Sequence, residues 1–84
     1  MSTGGWRLQT EAELRTVYPW LEREPDPRVR GRVLDWLVLL ASDPVGRGRE
    51  ERPGVFSAEV YGTDVTVVWT LNHERRWIVL ALIG

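Results

Sequence analysis

The sequence predicts an α+β fold: a two-layer sandwich, ordered β-α-α-β-β-β, in which a helical hairpin covers one face of a mostly antiparallel sheet. Two stretches, Thr10–Leu21 and Asp26–Ala41, carry apolar residues at helical spacing. From Val55 onward the apolar period changes to two, in three runs separated by short polar turns. Strands joined this tightly pair antiparallel, and a helix pair buries its apolar stripes by lying on one face of such a sheet.

Met1–Gly5 reads as a flexible start. Trp6-Arg7-Leu8-Gln9 alternates apolar and polar residues and suits a short strand, whose only pairing partner is the same sheet. Thr10-Glu11-Ala12-Glu13 has the form of a capping box, with Leu14, Val17, Tyr18 and Leu21 as the apolar face of the first helix. Pro19 predicts a kink or two shorter pieces, because its ring clashes with the carbonyl four residues back. Asp26-Pro27 restarts the chain as N-cap and first helical residue. The second helix then presents Val29, Val33, Trp36, Leu37 and Leu40 on one face. Leu34, Val38 and Leu39 widen that stripe and are expected in part against the first helix. Ser42-Asp43-Pro44 ends it.

Residues 45–54, VGRGREERPG, are rich in glycine, proline and charge and read as a mobile loop. The meander follows. Phe56, Ala58 and Val60 point inward from the first run, and Val65, Val67, Trp69 and Leu71 from the second. In the last run Ile78, Leu80 and Leu82 face one way, and Trp77, Val79, Ala81 and Ile83 the other. Gly62-Thr63-Asp64 and Asn72-His73-Glu74-Arg75 supply the turns. Together these elements make one domain, residues 1–84.

Composition narrows the chemistry. A chain of 84 residues has a small core. It contains no cysteine, so thiolate catalysis, disulfides and cysteine-ligated zinc are excluded, and one histidine leaves no histidine-rich metal site. No metal or cofactor is expected. No charged-then-apolar leader opens the sequence, and the apolar run near its end is shorter than the ~18–20 residues of a membrane helix, so a cytoplasmic protein is expected. All eleven basic residues are arginine, against twelve acidic ones. Arginine suits bidentate contact with carboxylate or phosphate, but the balance of charge argues against a dedicated nucleic-acid surface.

DPRVRGRVLDWLVLLASDP, residues 26–44, and FSAEVYGTDVTVVWTLNHERRWIVLALIG, residues 56–84, resemble the second helix and the closing meander of the RelE/ParE superfamily of toxin–antitoxin toxins. The resemblance spans Trp6–Gly84. It implies this fold, a toxin-like function, and an antitoxin-like protein or a second copy as partner. The messenger-RNA-cleaving branch of that family needs basic side chains on the open sheet face to stabilise phosphate charge. Those positions correspond here to Ser57, Glu59 and Thr66, and the family's basic, tyrosine-bearing tail has no counterpart after Gly84. The resemblance therefore implies action through protein contact, as in the gyrase-targeting branch. A ribosome-dependent endoribonuclease with a non-standard site and a plain dimerising module are the alternatives.

Few residues carry candidate chemistry. His73, Arg75 and Arg76 sit together in a turn and are the candidate catalytic set; a solvated turn is the ordinary reading of the same residues. Arg47, Arg49 and Arg52 are balanced by Glu50 and Glu51. Of five tryptophans, Trp36, Trp69 and Trp77 fall on core positions, whereas Trp6 and Trp20 fit core or interface. The last strand is apolar on both faces. Val68, Trp77, Val79 and Ile83 are accordingly the candidate partner-binding residues, because a row of large side chains left in water invites association.

Overall fold

A computed structural model describes residues 5–84. The flexible start expected at Met1–Gly5 thus lies, except for Gly5, outside the described residues. The elements are β1 (Arg7–Leu8), α1 (Thr10–Arg23), α2 (Pro27–Ser42), β2 (Arg49–Arg52), β3 (Val55–Glu59), β4 (Thr66–Asn72) and β5 (Trp77–Ile83). They form an α+β structure with a five-stranded sheet in the order β1-β5-β4-β3-β2. Strand β1 runs parallel to β5, and the other neighbours are antiparallel. The short first strand does join the sheet: Arg7 pairs with Trp77, and the Arg7 and Gln9 amides donate to the carbonyls of Arg76 and Ile78 at 3.1 and 2.9 Å.

The stretch 45–54 is not a loop throughout. Arg49–Arg52 forms β2, an edge strand whose Arg49 and Glu50 pair with Ser57 and Phe56. Its four residues are all charged and exposed, so they carry no apolar period to read. Charge of this kind on an edge strand discourages pairing with another chain.

Helix α1 departs from expectation in two ways. Its N-cap is Gln9, without a side-chain cap, and Thr10 is already the first helical residue. The helix also continues through Pro19 to Arg23 as one element. Proline in a helix interior costs about 3 kcal/mol. Val17 and Trp20, buried on either side of it, offset that cost by roughly 1.5–3 kcal/mol each. The buried face of α1 is Ala12, Val17 and Trp20, while Leu14 and Tyr18 are exposed. Helix α2 starts as its sequence predicts, with the Asp26 carboxylate accepting from the Arg28 amide at 2.9 Å. It buries Val33, Leu37 and Leu40.

Trp69, fully buried at the middle of β4, is the spacer between sheet and helices. Phe56 stacks on it at 6.0 Å between ring centroids, and Trp36 of α2 meets it edge-on at 5.7 Å. Its indole N–H donates to the Pro44 carbonyl at 3.0 Å. Val67, Ile78 and Leu80 complete this side of the core.

Strand β5 changes face near its end. Val68 pairs with Leu82, but Trp69 pairs with Leu80, so Ala81 is an extra residue opposite that step. A bulge of this kind shifts the two-residue alternation by one position. Ile83 is consequently buried at 4% exposure beside Val67, and Leu82 is turned out at 55%. This corrects the strict alternation expected for the strand, and with it the placement of Ile83 among partner-binding residues.

Candidate functional site

The candidate residues distribute over three surfaces. The first is the β4–β5 turn. Asn72 Oδ1 accepts from the Arg75 amide at 3.0 Å and closes the turn. Arg76 then takes a left-handed backbone, φ 60°, a conformation that side-chain-bearing residues adopt at a cost. The turn brings the candidate residues onto two indoles. The Arg76 guanidinium lies 5.2 Å from the Trp6 ring centroid, and His73 meets the same ring edge-on at 5.5 Å. The Arg75 guanidinium lies 5.4 Å from the Trp77 ring centroid. The sequence leaves Trp6 between core and interface, because its proximity to residues 73–76 depends on the parallel β1–β5 pairing.

His73, Glu74, Arg75 and Arg76 are all exposed, as is Arg7. Among the described residues the ion pair is Arg49–Glu51, so neither these three arginines nor Glu74 is held by an opposite charge. The turn contains no hydroxyl or thiol to act as nucleophile. No group of three or more potential metal ligands exists among the described residues. Chemically, the cluster offers guanidinium N–H groups to an oxyanion, with one imidazole beside them.

The second surface is the sheet face opposite the helices. Val68, Trp77 and Val79 lie on it, half-buried by their neighbours, and Leu82 takes the place expected for Ile83. Trp77 therefore belongs to this face and not to the core. At the other end of the face Glu59 pairs directly with Thr66, and Ser57 with Val68. The Ser57 hydroxyl donates to the Glu51 carboxylate, whose second partner is Arg49 at 3.3 Å. The Ser57 bond and then the Arg49 charge hold the Glu51 carboxyl below the usual carboxylate range. The shallow concavity here, about 640 Å³, thus sets Arg47 and Arg49 against Glu51 and Glu59. It has no surplus of positive charge for a phosphate.

The third surface was not singled out in the sequence. Leu14 and Tyr18 on α1, and Leu34 and Val38 on α2, are exposed, with Val38 at 72%. Tyr18, Leu34 and Val38 line a groove of about 460 Å³ that runs between the helices to Trp6. The excess width of the α2 stripe was its signal. Packing against α1 was expected to absorb part of the stripe formed by Leu34, Val38 and Leu39, but all three are exposed. Glu13 stands at the rim of this groove, and burial pushes its carboxyl above the usual range.

No helix among the described residues is long and apolar enough to cross a membrane. Searched against family models, curated proteins and solved structures, the sequence and fold returned no match.

Proposed function

We propose that this chain is a RelE/ParE-type, toxin-like protein that acts in the cytoplasm through protein–protein contact and without nuclease chemistry. The observation that carries the reading is the partly exposed apolar strip on the open sheet face. Val68, Trp77, Val79 and Leu82 lie on the side away from both helices, and Leu82 is mostly in solvent. A fully exposed side chain of this size gains roughly 1.5–3 kcal/mol when a partner removes it from water, so Leu82 gains most and the half-buried Val68, Trp77 and Val79 gain less. The residues where the nuclease branch carries bases, Ser57, Glu59 and Thr66, lie on that same face and include a carboxylate. A partner with an extended segment, antitoxin-like, or a second copy of the chain suits such a surface.

A second reading, a ribosome-dependent endoribonuclease, draws on the clustering of His73, Arg75 and Arg76 about Trp6 and Trp77. Controlled expression of the full chain in bacterial cells, with messenger integrity followed in a translating extract, separates the two. Contact without cleavage predicts slowed growth, relieved by Leu82→Ser with Val79→Ser, while ribosome-bound messenger stays intact. Cleavage that disappears with Arg76→Ala would establish the nuclease reading instead. Normal growth on expression would remove both toxin readings, and a stable dimer by solution mass would then leave the dimerising module.

A further inference from the structure

We infer that the outer face of the helical hairpin is a two-fold interface between two copies of this chain, centred on Tyr18, with Arg15 of each copy facing Glu22 of the other. The inference concerns the helix side and leaves the open sheet face free for the contact reading. Its first argument is the outward stripe of α1. Leu14, Tyr18 and Glu22 follow one another at four-residue steps, and Arg15 stands three before Tyr18, so the four share one side of the helix. All four are exposed. Arg15 and Glu22 thus carry opposite charge at nearly equal distance from Tyr18, roughly 5 Å along the helix axis. A two-fold axis that crosses the helix at Tyr18 lays the stripe on itself in reverse. Tyr18 then meets Tyr18, Arg15 meets Glu22, and Glu22 meets Arg15. Among the described residues neither charge is engaged in an ion pair.

The second argument comes from α2. Leu34 and Val38 line the same groove as Tyr18 and are one turn apart. The axis that reverses α1 also reverses α2, so it sets Leu34 of one copy against Val38 of the other. Apolar side chains therefore meet apolar side chains on both helices.

The third argument is the amount of surface. Leu14, Tyr18 and Val38 are each more than half exposed, and Leu34 is exposed at 42%. Together they leave on the order of 400 Å² of largely apolar surface, as much as the largest patch on an ordinary monomer. A stable pair takes about 800 Å² from each partner. The patch supplies about half of that, and the groove with its polar rim adds to it. Apolar walls alone would suit any amphipathic helix. Opposite charges spaced evenly about an apolar centre suit the same stripe run backwards, which is what a second copy brings.

The test is sedimentation equilibrium of the full chain over a concentration series. The parent is expected to approach twice the chain mass. Arg15→Glu alone, or Glu22→Arg alone, should raise the dissociation constant about tenfold, because each places like charges together at both ends of the interface. An equimolar mixture of the two variants should associate like the parent, since every 15–22 contact then joins opposite charges. Circular dichroism verifies that both exposed substitutions keep the fold. A parent that stays monomeric throughout would overturn the interface and leave the contact reading intact. A dimer indifferent to both charge reversals would overturn it, as would two weakened variants that fail to rescue each other on mixing. Dissociation by Leu82→Ser with Val79→Ser, with no effect of either charge reversal, would place the second copy on the open sheet face instead.

Discussion

The indole N–H of Trp69 donates to the carbonyl of Pro44, 25 positions earlier, at 3.0 Å inside the protein. This bond fixes where the chain turns after α2 relative to the centre of β4. It also satisfies a carbonyl that burial has cut off from water. Trp69→Phe keeps an aromatic ring in the same space but leaves that acceptor alone. Unfolding free energy is expected to fall by about 2–3 kcal/mol, from the orphaned carbonyl and the lost ring volume. Urea denaturation followed by circular dichroism measures it, and a loss near zero would mean that the bond contributes nothing.

Two glycines should respond to alanine with opposite signs. A Cβ at Gly48 would come within 2.5 Å of both the Ser57 carbonyl oxygen and the Trp69 ring. Neither backbone nor a buried indole yields easily, so Gly48→Ala is expected to cost about 1–3 kcal/mol. Gly31, exposed on α2, has nothing within 4 Å of such a Cβ. There alanine improves helix propensity and should stabilise by about 0.5–1 kcal/mol. Paired thermal melts read both, and the same sign for the two would contradict the close approach at Gly48.

The bulge at Ala81 makes adjacent residues unequal. Ile83→Ala should cost about 2–4 kcal/mol, and Leu82→Ala no more than about 0.5 kcal/mol. If equilibrium denaturation ranked them the other way, β5 would be continuing its alternation without the extra residue.

Glu13 gives a pH prediction. Its carboxyl is raised by burial, so the folded protein binds that proton more tightly than the unfolded chain does. Stability from this group is greatest below the unfolded carboxyl range. It declines as pH rises from there through the raised value, and stays lower at neutral pH. Glu13→Gln should therefore melt higher than the parent at neutral pH and lose that advantage in acid. An advantage that instead grows on acidification would have the wrong sign for a buried carboxylate.

The sequence discloses the elements whose signals are local. Asp26-Pro27 marks the start of α2 because cap chemistry involves only neighbouring residues, and the alternation of Val65, Val67 and Trp69 marks the buried side of β4. Three features depend on contacts that no local pattern records. Strand β2 is four charged residues, visible as a strand only through its pairing with β3. The bulge at Ala81 arises from the register between β4 and β5, so a strict period of two assigns Leu82 and Ile83 to the wrong sides. Helix α1 runs through Pro19 as one element and buries Ala12, Val17 and Trp20, with Leu14 and Tyr18 outside. For the candidate site, His73, Arg75 and Arg76 were readable as neighbours in a turn. Trp6 was not, since nearly the whole chain lies between it and them.

The parallel pairing of Arg7 with Trp77 has a kinetic consequence. It joins segments separated by both helices and three other strands, so its formation closes the longest loop in the described chain, and loop-closure entropy opposes early contact of that kind. The hairpins β2–β3, β3–β4 and β4–β5 close much shorter loops and can assemble beforehand. In native-state hydrogen exchange, the Arg7 and Gln9 amides should then open ahead of those along β4, so that unravelling begins where the stacked arginines sit.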